Sequence, residues 1–217
     1  QWLQDIDEGR YVFASLDSEP GGHLTARVTR LGDTVKDFAR IMSVSDPVAQ
    51  VPARWRFTTD PDRQGLAQGY SATDFDDSSW PMLPIGVWWE NAGYPGYDGV
   101  AWYRTRLTIP TEFRGRQVHL FFGAVDGDAR VYVNGQEAGA HLLGENGKGW
   151  DEAFSLDISA HIRYGEDNVI AVSVYDDAAY GGIWKAVRAI SPRPGATTQG
   201  QTRRPLQRDG STLLLLD

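Results

Sequence analysis

Alternating apolar and polar residues recur in short runs along the middle of the chain. The run AWYRTRLTI begins at Ala101 and places Tyr103 and Leu107 on one face of a strand and Arg104 on the other. The same period of two recurs in QVHLFFGAV, FSLDI and NVIAVSVY, and it is typical of strands with one buried face. The pattern therefore predicts an all-β fold, an antiparallel two-sheet β-sandwich over residues 52–192.

Turn residues separate these runs. Asn134 and Gly135 lie between ARVYV and QEAG, and this pair predicts a two-residue hairpin turn with positive φ angles. The segment SAHIRYGEDN predicts a single helical turn that ends at Gly165. The inward positions of the strands predict a core that includes Leu120, Phe122, Val131, Val133, Leu156, Ile170 and Val172.

The two ends of the chain differ from this middle part. Residues 1–51 hold two strand-like runs, YVFASL and HLTARV, and then an amphipathic pattern that predicts a short helix from Asp33 or Thr34 to near Asp46. We interpret them as a short N-terminal α/β extension or the tail of a preceding domain. Residues 193–217 have a Pro, Gly, Gln and Arg composition typical of a linker, and STLLLLD is a possible terminal strand.

Composition and charge restrict the class of protein. With 217 residues, 41% of them hydrophobic and 23% charged, the chain can build one globular domain with extra segments. It has no cysteine, which excludes disulfides and cysteine-ligated zinc. No apolar run reaches the roughly 20 residues that a membrane helix needs. A net charge of -8 repels phosphate backbones, so we expect no nucleic-acid partner and no membrane partner.

The aromatic content leaves two interpretations open. The chain has 8 Trp, and aromatic residues make up 12% of it. Indole rings most often pack in a core because they bury much apolar area. An indole face also matches the apolar C–H face of a pyranose ring, so an exposed Trp would suit sugar binding.

An ordered set of motifs then gives a resemblance to a known family. The chain carries W-E, G-x-x-W-Y-R, V-x-V-N-G, L-D-I, G-x-D-N and G-G-I-W in this order within residues 52–190. This order resembles the N-terminal sugar-binding domain of glycoside hydrolase family 2 enzymes, which include β-galactosidases and β-glucuronidases. The resemblance implies a galactose-binding-like jelly roll with its ligand loops at one end.

The resemblance also implies where catalysis takes place. In the family the catalytic carboxylates lie in a separate barrel domain, and a barrel takes about 250 residues. The sandwich can lend an aspartate to that neighbouring active site from the strand end before G-G-I-W. In this sequence that aspartate is Asp176 or Asp177.

Three loops carry the candidate sugar-binding residues. They are GVWWENAGYPGYDG, HLLGENGKGWDEAF and YDDAAYGGIW, and each combines aromatic rings with amide or carboxylate groups that suit sugar hydroxyls. Adjacent residues of an extended segment point to opposite sides, so we expect Trp89 in the core and Trp88 as an exposed platform. The candidates are Trp88, Glu90, Asn91, Tyr94, Tyr97, Asp98, Asn146, Trp150, Asp176, Asp177, Tyr180 and Trp184.

A structural calcium ion is a further possibility, although no cofactor is required. The string GWDE is similar to a G-W-T-D segment of the related rhamnose-binding sandwiches, which use calcium. Asp151 and Glu152 would then be ligands, since calcium prefers carboxylate and carbonyl oxygens. No regular calcium-binding spacing is present, and the alternative is a solvated acidic loop.

These observations lead to a functional hypothesis with two alternatives. We expect a non-catalytic carbohydrate-binding domain, an accessory part of a larger polysaccharide-degrading glycoside hydrolase. It could instead be a purely structural sandwich that packs against a catalytic domain. A stand-alone glycan hydrolase or lyase, with Glu90 paired to Asp98 or Asp176, is the other alternative.

The expected partners follow from the same hypothesis. Residues 52–192 carry 19 acidic and 12 basic side chains, and like charge weakens binding of anionic glycans. We therefore expect a neutral polysaccharide or oligosaccharide, together with an adjoining catalytic domain. A secreted or periplasmic bacterial location fits a polysaccharide-degrading enzyme.

Overall fold

The structure is a computed structural model that describes residues 2–7, 10–18, 24–28, 44–144 and 147–193. Its strands are β1 (Trp2–Asp7), β2 (Arg10–Ser18), β3 (Leu24–Val28), β4 (Ser45–Ala49), β5 (Arg54–Asp60), β6 (Met82–Pro84), β7 (Gly99–Thr108), β8 (His119–Phe122), β9 (Asp128–Val133), β10 (Gln136–His141), β11 (Phe154–Asp157), β12 (Asp167–Asp176) and β13 (Val187–Pro192). Two short 3₁₀ helices span Trp89–Ala92 and Thr111–Phe113.

Two antiparallel sheets form the main body. One has six strands in the order β10-β9-β12-β7-β5-β6, and the other has four in the order β11-β8-β13-β4. Their facing sides share one hydrophobic core, in which Tyr103 and Val172 of the larger sheet meet Leu120 and Phe122 of the smaller one. The predicted all-β, two-sheet sandwich is confirmed.

The residues predicted to point inward from the alternating strands do lie in or against the core. Six of the seven predicted core residues are buried, and Leu156 is partly buried against the same core. Leu156 lies on β11, an edge strand of the smaller sheet, and an edge strand has a neighbour on only one side. Its partial exposure follows from that position.

The N-terminal part holds a separate antiparallel meander, β1-β2-β3. Strands β2 and β3 lie where YVFASL and HLTARV predict strands. Most of the predicted helix, residues 33–43, lies outside the described residues, as does the proposed linker from residue 194 onward.

The predicted end of that helix near Asp46 is wrong, because Ser45–Ala49 form β4. This strand pairs with β13 in the smaller sheet, with Pro47 opposite Ile190, so the sandwich has a strand before residue 52. Pro47 suggested the end of a helix in the sequence. A proline lacks the N–H that a central strand needs but is tolerated in an edge strand, and β4 is at the edge of its sheet.

Two local turn predictions have different outcomes. Asn134 and Gly135 have φ angles of 51° and 84°, as the two-residue hairpin requires. In the segment that predicted a helical turn, the chain makes a simple turn in which the His161 N–H donates to the Ile158 carbonyl. Gly165 has φ at 81°, but it follows the bridge between Tyr164 and Ile109 and does not end this turn.

The long loop between β5 and β6 covers the outer face of the larger sheet. Trp102 and Tyr132 pack there with Trp80 from the loop and form a second apolar cluster. Arg104 is buried beside them and donates from Nε to the Asp77 carboxylate over 2.8 Å. The sequence of this loop is mostly polar, yet the loop shields an aromatic cluster on the outer face of the sheet.

Candidate functional site

The candidate site lies at the end of the sandwich where β12 ends and β7, β9 and β13 begin. An open cleft of about 460 Å³ is found there. It is lined by Asp126, Gly127, Asp128, Leu143, Gly144, Gly147, Trp150, Tyr175, Asp176, Asp177 and Ala178. Carboxylates and aromatic rings therefore face the same space, and the second and third candidate loops both contribute to it.

The adjacent residues Trp88 and Trp89 separate as the extended-chain pattern predicts. Trp89 is fully buried in the core, and its Nε1–H donates to the Tyr97 carbonyl over 3.0 Å. Trp88 is not the exposed platform that the sequence predicted, because it is half-buried and is not among the residues that line the cleft. Its Nε1–H donates to Oδ2 of Asp126 over 3.1 Å.

Three indoles form a continuous stack beside the cleft. Trp88 and Trp184 have ring centroids 4.7 Å apart and planes only 9° from parallel. Trp150 and Trp184 are 5.2 Å apart at 24°, and the Trp184 Nε1–H donates to the Trp150 carbonyl over 3.0 Å. Tyr180, which is 50% exposed, tilts against Trp88 at 5.3 Å.

Trp184 has a different role from the one expected of a platform. It is only 3% exposed, and its ring is already stacked on two other indoles. Trp150 is half-buried and lines the cleft, so it is the indole of this stack that a ligand in the cleft can reach.

Three carboxyl groups lie near enough to influence one another's charge: Asp126 and Asp176, which line the cleft, and Glu90, which does not. Glu90 accepts the Gly181 N–H at Oε2 over 3.1 Å, while its Oε1 is buried and has no hydrogen-bond partner in the described part of the chain. Asp176 is 6% exposed, and its Oδ2 also has no partner. Within the described part of the chain, no lysine or arginine forms an ion pair with any of the three.

This environment raises the pKa values of all three carboxyl groups. Burial, followed by the charges of Glu90 and Asp151, raises the pKa of Asp126 to about 6. Burial and the charge of Asp126 raise the pKa of Asp176 to about 7. Burial also raises the pKa of Glu90. Like charges without a cation disfavour the ionised state, so the group holds a proton near neutral pH.

Two glycines let the third loop approach the core closely. A Cβ built on Gly181 would lie 2.3 Å from Cζ2 of Trp89, and one built on Gly182 would lie 2.4 Å from the Tyr103 hydroxyl. Gly182 also has φ at 109°, which only glycine adopts easily. Gly181 and Gly182 therefore form a tight crossing over Trp89 and Tyr103.

The structure divides the other predicted site residues into three groups. Tyr94 and Tyr97 pack against the core, and the Tyr97 hydroxyl donates to the Val100 carbonyl over 2.6 Å. Neither lines the cleft. Asn91 and Asp98 are exposed on the same loop. Asn146 lies outside the described residues.

The proposed calcium ligands are close to the cleft in sequence but do not form a cluster. Asp151 is half-buried and Glu152 is exposed. Within residues 44–144 and 147–193, no group of three or more His, Asp or Glu side chains is arranged to hold a metal ion. Calcium binding at these two residues stays a prediction.

Asp126 is a site residue that the sequence did not reveal, as are Asp128 and Tyr175, which also line the cleft. Asp126 lies in VDGD, just before β9, where a turn or solvated aspartate is the ordinary interpretation. Its backbone forms two 2.9 Å hydrogen bonds with Gly182, one in each direction. This pairing joins residues distant in sequence, so only the fold brings Asp126 to the cleft.

In the described residues, no helix is long and apolar enough to span a membrane.

An antiparallel sandwich with an aromatic, carboxylate-lined cleft at one end is typical of carbohydrate-binding domains. Residues 46–182 match the family described as "Glycosyl hydrolases family 2, sugar binding domain". The chain belongs to this family. The matched part is the sugar-binding domain of this family, so the expected place of the chain as that domain of a larger glycoside hydrolase is confirmed.

Individual relatives agree with this assignment. A beta-galactosidase of Thermoanaerobacter pseudethanolicus is 33% identical over 136 residues, which cover 52% of this chain and 17% of the relative. A beta-glucuronidase of Formosa agariphila is 37% identical over 81 residues, covering 37% of this chain and 8% of the relative. The chain thus spans less than a fifth of these two bacterial proteins.

Solved structures show the same fold. A crystal structure of Ruminococcus gnavus beta-glucuronidase matches with a TM-score of 0.58 over 69% of this chain and 29% of that chain. The sequence identity is 20%. The match therefore concerns the fold and not the ligand.

Proposed function

We propose that this chain is the sugar-binding part of a larger bacterial glycoside hydrolase and that its cleft binds a neutral glycan. The observation that supports this most directly is the cleft itself, where the Trp150 ring and the carboxyl groups of Asp126, Asp176 and Asp177 face one space. An indole can stack on one face of a pyranose, while carboxyl oxygens accept hydrogen bonds from its hydroxyls.

The unpaired oxygens of the site favour a ligand with many O–H donors. Oε1 of Glu90 and Oδ2 of Asp176 are buried without a hydrogen-bond partner, and an unmet acceptor in such a place is costly. Asp176 lines the cleft, so a sugar hydroxyl there could donate to it, whereas Glu90 is not among the lining residues. A carboxylate-bearing sugar would bring a further negative charge to carboxyl groups that already repel one another.

The proposal also concerns the protein to which this domain belongs. Family members carry this sandwich beside a catalytic domain, and the relatives are several times longer than the matched segment. We propose that a catalytic domain adjoins the sandwich in the whole protein and that Asp176 or Asp177 faces its substrate. Export from a bacterial cell would bring such an enzyme to polysaccharide substrates.

Calorimetry across a panel of glycans tests the proposal. We expect the full chain to bind a neutral galactan, xylan or glucan oligosaccharide with a dissociation constant of about 10 µM to 1 mM, and glucuronate-containing oligosaccharides more weakly. Trp150→Ala should weaken binding by about tenfold or more, since stacked aromatic rings dominate such contacts. Leu66→Ala, which removes an exposed side chain of the β5–β6 loop, is the matched control.

Four results would contradict the proposal. If no glycan binds, or if Trp150→Ala binds like the unmodified chain, the cleft is not the site. A preference for glucuronate-containing glycans would show that the neutral-sugar assignment is wrong. The appearance of new reducing ends during incubation would show catalysis by the chain itself.

A purely structural sandwich remains the second candidate. The burial of Trp184 and the core contacts of Tyr94 and Tyr97 favour it, because these rings stabilise the fold instead of facing solvent. If the unmodified chain binds no glycan and substitutions of these rings lower the free energy of unfolding, this alternative is supported.

A further inference from the structure

We propose that Asp126 is a positioning residue, which sets the orientation of the cleft's aromatic wall through the three-indole stack. This inference rests on the proposed function, since it concerns how the same cleft holds a sugar. Asp126 and Trp150 both line the cleft, and the stack connects them through Trp88 and Trp184.

The first step is the anchoring of Asp126. Its N–H donates to the Gly182 carbonyl and its carbonyl accepts the Gly182 N–H, both over 2.9 Å. Gly127 lies against the β12 backbone, where a built Cβ would come within 2.6 Å of the Tyr175 carbonyl oxygen. The backbone at Asp126 is therefore held on two sides, and its side chain starts from a fixed point.

The second step is the contact between Asp126 and Trp88. The indole Nε1–H donates to Oδ2 over 3.1 Å, which is an ordinary hydrogen-bond length. Trp88 is half-buried at the molecular surface, so this bond restrains a ring that could otherwise turn about its side-chain torsions.

The third step carries this restraint to the cleft. Trp88 stacks nearly parallel on Trp184, with 9° between the planes. Trp184 stacks in turn on Trp150 and donates its Nε1–H to the Trp150 carbonyl. A rotation of Trp88 would disturb the packing of Trp184 and then the ring of Trp150. Binding sites lose affinity when such supporting contacts are loosened.

The charges around Asp126 give the proposal a spectroscopic signature. Glu90, Asp151 and Asp176 face it with negative charge, and Lys185 lies over the Trp184 ring at 4.3 Å. Burial, together with the charges of Glu90 and Asp151, raises the pKa of Asp126 to about 6. An ionised carboxylate accepts a stronger hydrogen bond from an indole than a protonated one does.

Affinity measurements at pH 8 test the positioning role. Asp126→Ala removes the acceptor, whereas Asp126→Asn keeps an amide oxygen that can accept the indole N–H. Trp88→Phe keeps an aromatic ring and removes the donor. We expect Asp126→Ala and Trp88→Phe each to weaken binding of a neutral oligosaccharide by about tenfold, and Asp126→Asn by no more than about twofold.

The double variant separates positioning from direct contact with the sugar. If Asp126 acts through Trp88, Asp126→Ala combined with Trp88→Phe should bind no more weakly than Asp126→Ala alone. Additive losses, or a Trp88→Phe variant that binds like the unmodified chain, would overturn the proposal. Circular dichroism and urea unfolding of each variant report whether the fold is kept.

A measurement without any ligand keeps the two proposals distinguishable. In ¹⁵N-labelled full chain, the Trp88 indole N–H resonance, assigned from its loss in Trp88→Phe, should shift with a midpoint near pH 6, as the pKa of Asp126 predicts. Asp126→Asn should abolish this shift. Absence of the shift in the unmodified chain overturns the Asp126–Trp88 coupling. Presence of the shift without glycan affinity supports the coupling and contradicts the proposed function instead.

Discussion

At the scale of single residues, the main feature of this domain is a group of carboxyls that have no ion-pair partner among residues 44–144 and 147–193. Glu90, Asp126 and Asp176 come from three different segments, and two of their oxygens are buried without a partner. Isolated buried charge is unfavourable, so such groups keep their protons to higher pH. The site therefore carries a cost in stability that a packed apolar core would not have.

This cost predicts a pH dependence of stability. Burial and neighbouring carboxyls raise the folded-state pKa of Asp126 to about 6 and that of Asp176 to about 7, from an ordinary value of 3.8. From about pH 4 to 7 the folded chain retains protons that the unfolded chain has released, so stability should fall as pH rises through this interval. Above it, this contribution should be constant.

The measurement is urea unfolding at about every half pH unit between about pH 4.5 and 8.5. It gives the slope of the free energy of unfolding against pH. Asp176→Asn should make the decline with pH shallower, because it removes one titrating group. Asp62→Asn, at an exposed loop position, serves as the control and should leave the slope unchanged. An equal slope in Asp176→Asn and the unmodified chain would contradict the prediction.

At the scale of elements, two of the motifs that carry the family resemblance hold strands together. Asn134, in the hairpin after β9, donates from Nδ2 to Oδ1 of Asn168 over 2.8 Å, and its Oδ1 accepts the Val169 N–H. Asn168, at the start of β12, is fully buried and donates to the carbonyls of Leu107, Arg163 and Glu166. The pair thus joins the hairpin to two other segments of the larger sheet.

Replacing Asn168 should therefore affect folding and not ligand affinity. Asn168→Ala leaves several buried carbonyls without a donor, and we expect a loss of about 3 kcal/mol in the free energy of unfolding. Asn168→Asp places a carboxylate oxygen against those carbonyls and should cost at least as much. Glu166→Ala, at a neighbouring exposed side chain, should change stability by less than about 0.5 kcal/mol. A loss below about 1 kcal/mol for Asn168→Ala in urea titration would show that these hydrogen bonds are replaced by water.

At the scale of the whole molecule, the net charge of the chain has the same sign as the carboxyl groups of the cleft. The chain has a net charge of -8, and carboxyl groups line the site. Repulsion of anionic glycans should then act at long range as well as in the cleft.

Salt dependence tests this long-range part. Raising NaCl from about 20 to 200 mM shortens the screening length severalfold. Binding of a glucuronate-containing oligosaccharide should strengthen with salt, while binding of a neutral one should stay within about twofold. Calorimetry at the two salt concentrations measures both. Weaker binding of the anionic glycan at high salt would mean that basic side chains dominate its contacts.

The local sequence determined the parts of the structure that depend on near neighbours. Alternation assigned the inward faces of β7, β8, β9 and β12, since side chains of an extended strand point to opposite sides. Asn134-Gly135 determined the hairpin, because its turn needs two positive φ angles. The order of short motifs was sufficient to identify the family.

The tertiary structure decided what depends on segments far apart in the chain. It placed β4 beside β13, where an edge position accommodates Pro47. It buried Trp184 between Trp88 and Trp150, and it brought Asp126 to Trp88, 38 residues away along the chain. Alternation specifies which face of a strand is buried but not which loop covers it. Burial and charge at the cleft are set by contacts between loops, so the site residues emerged only from the fold.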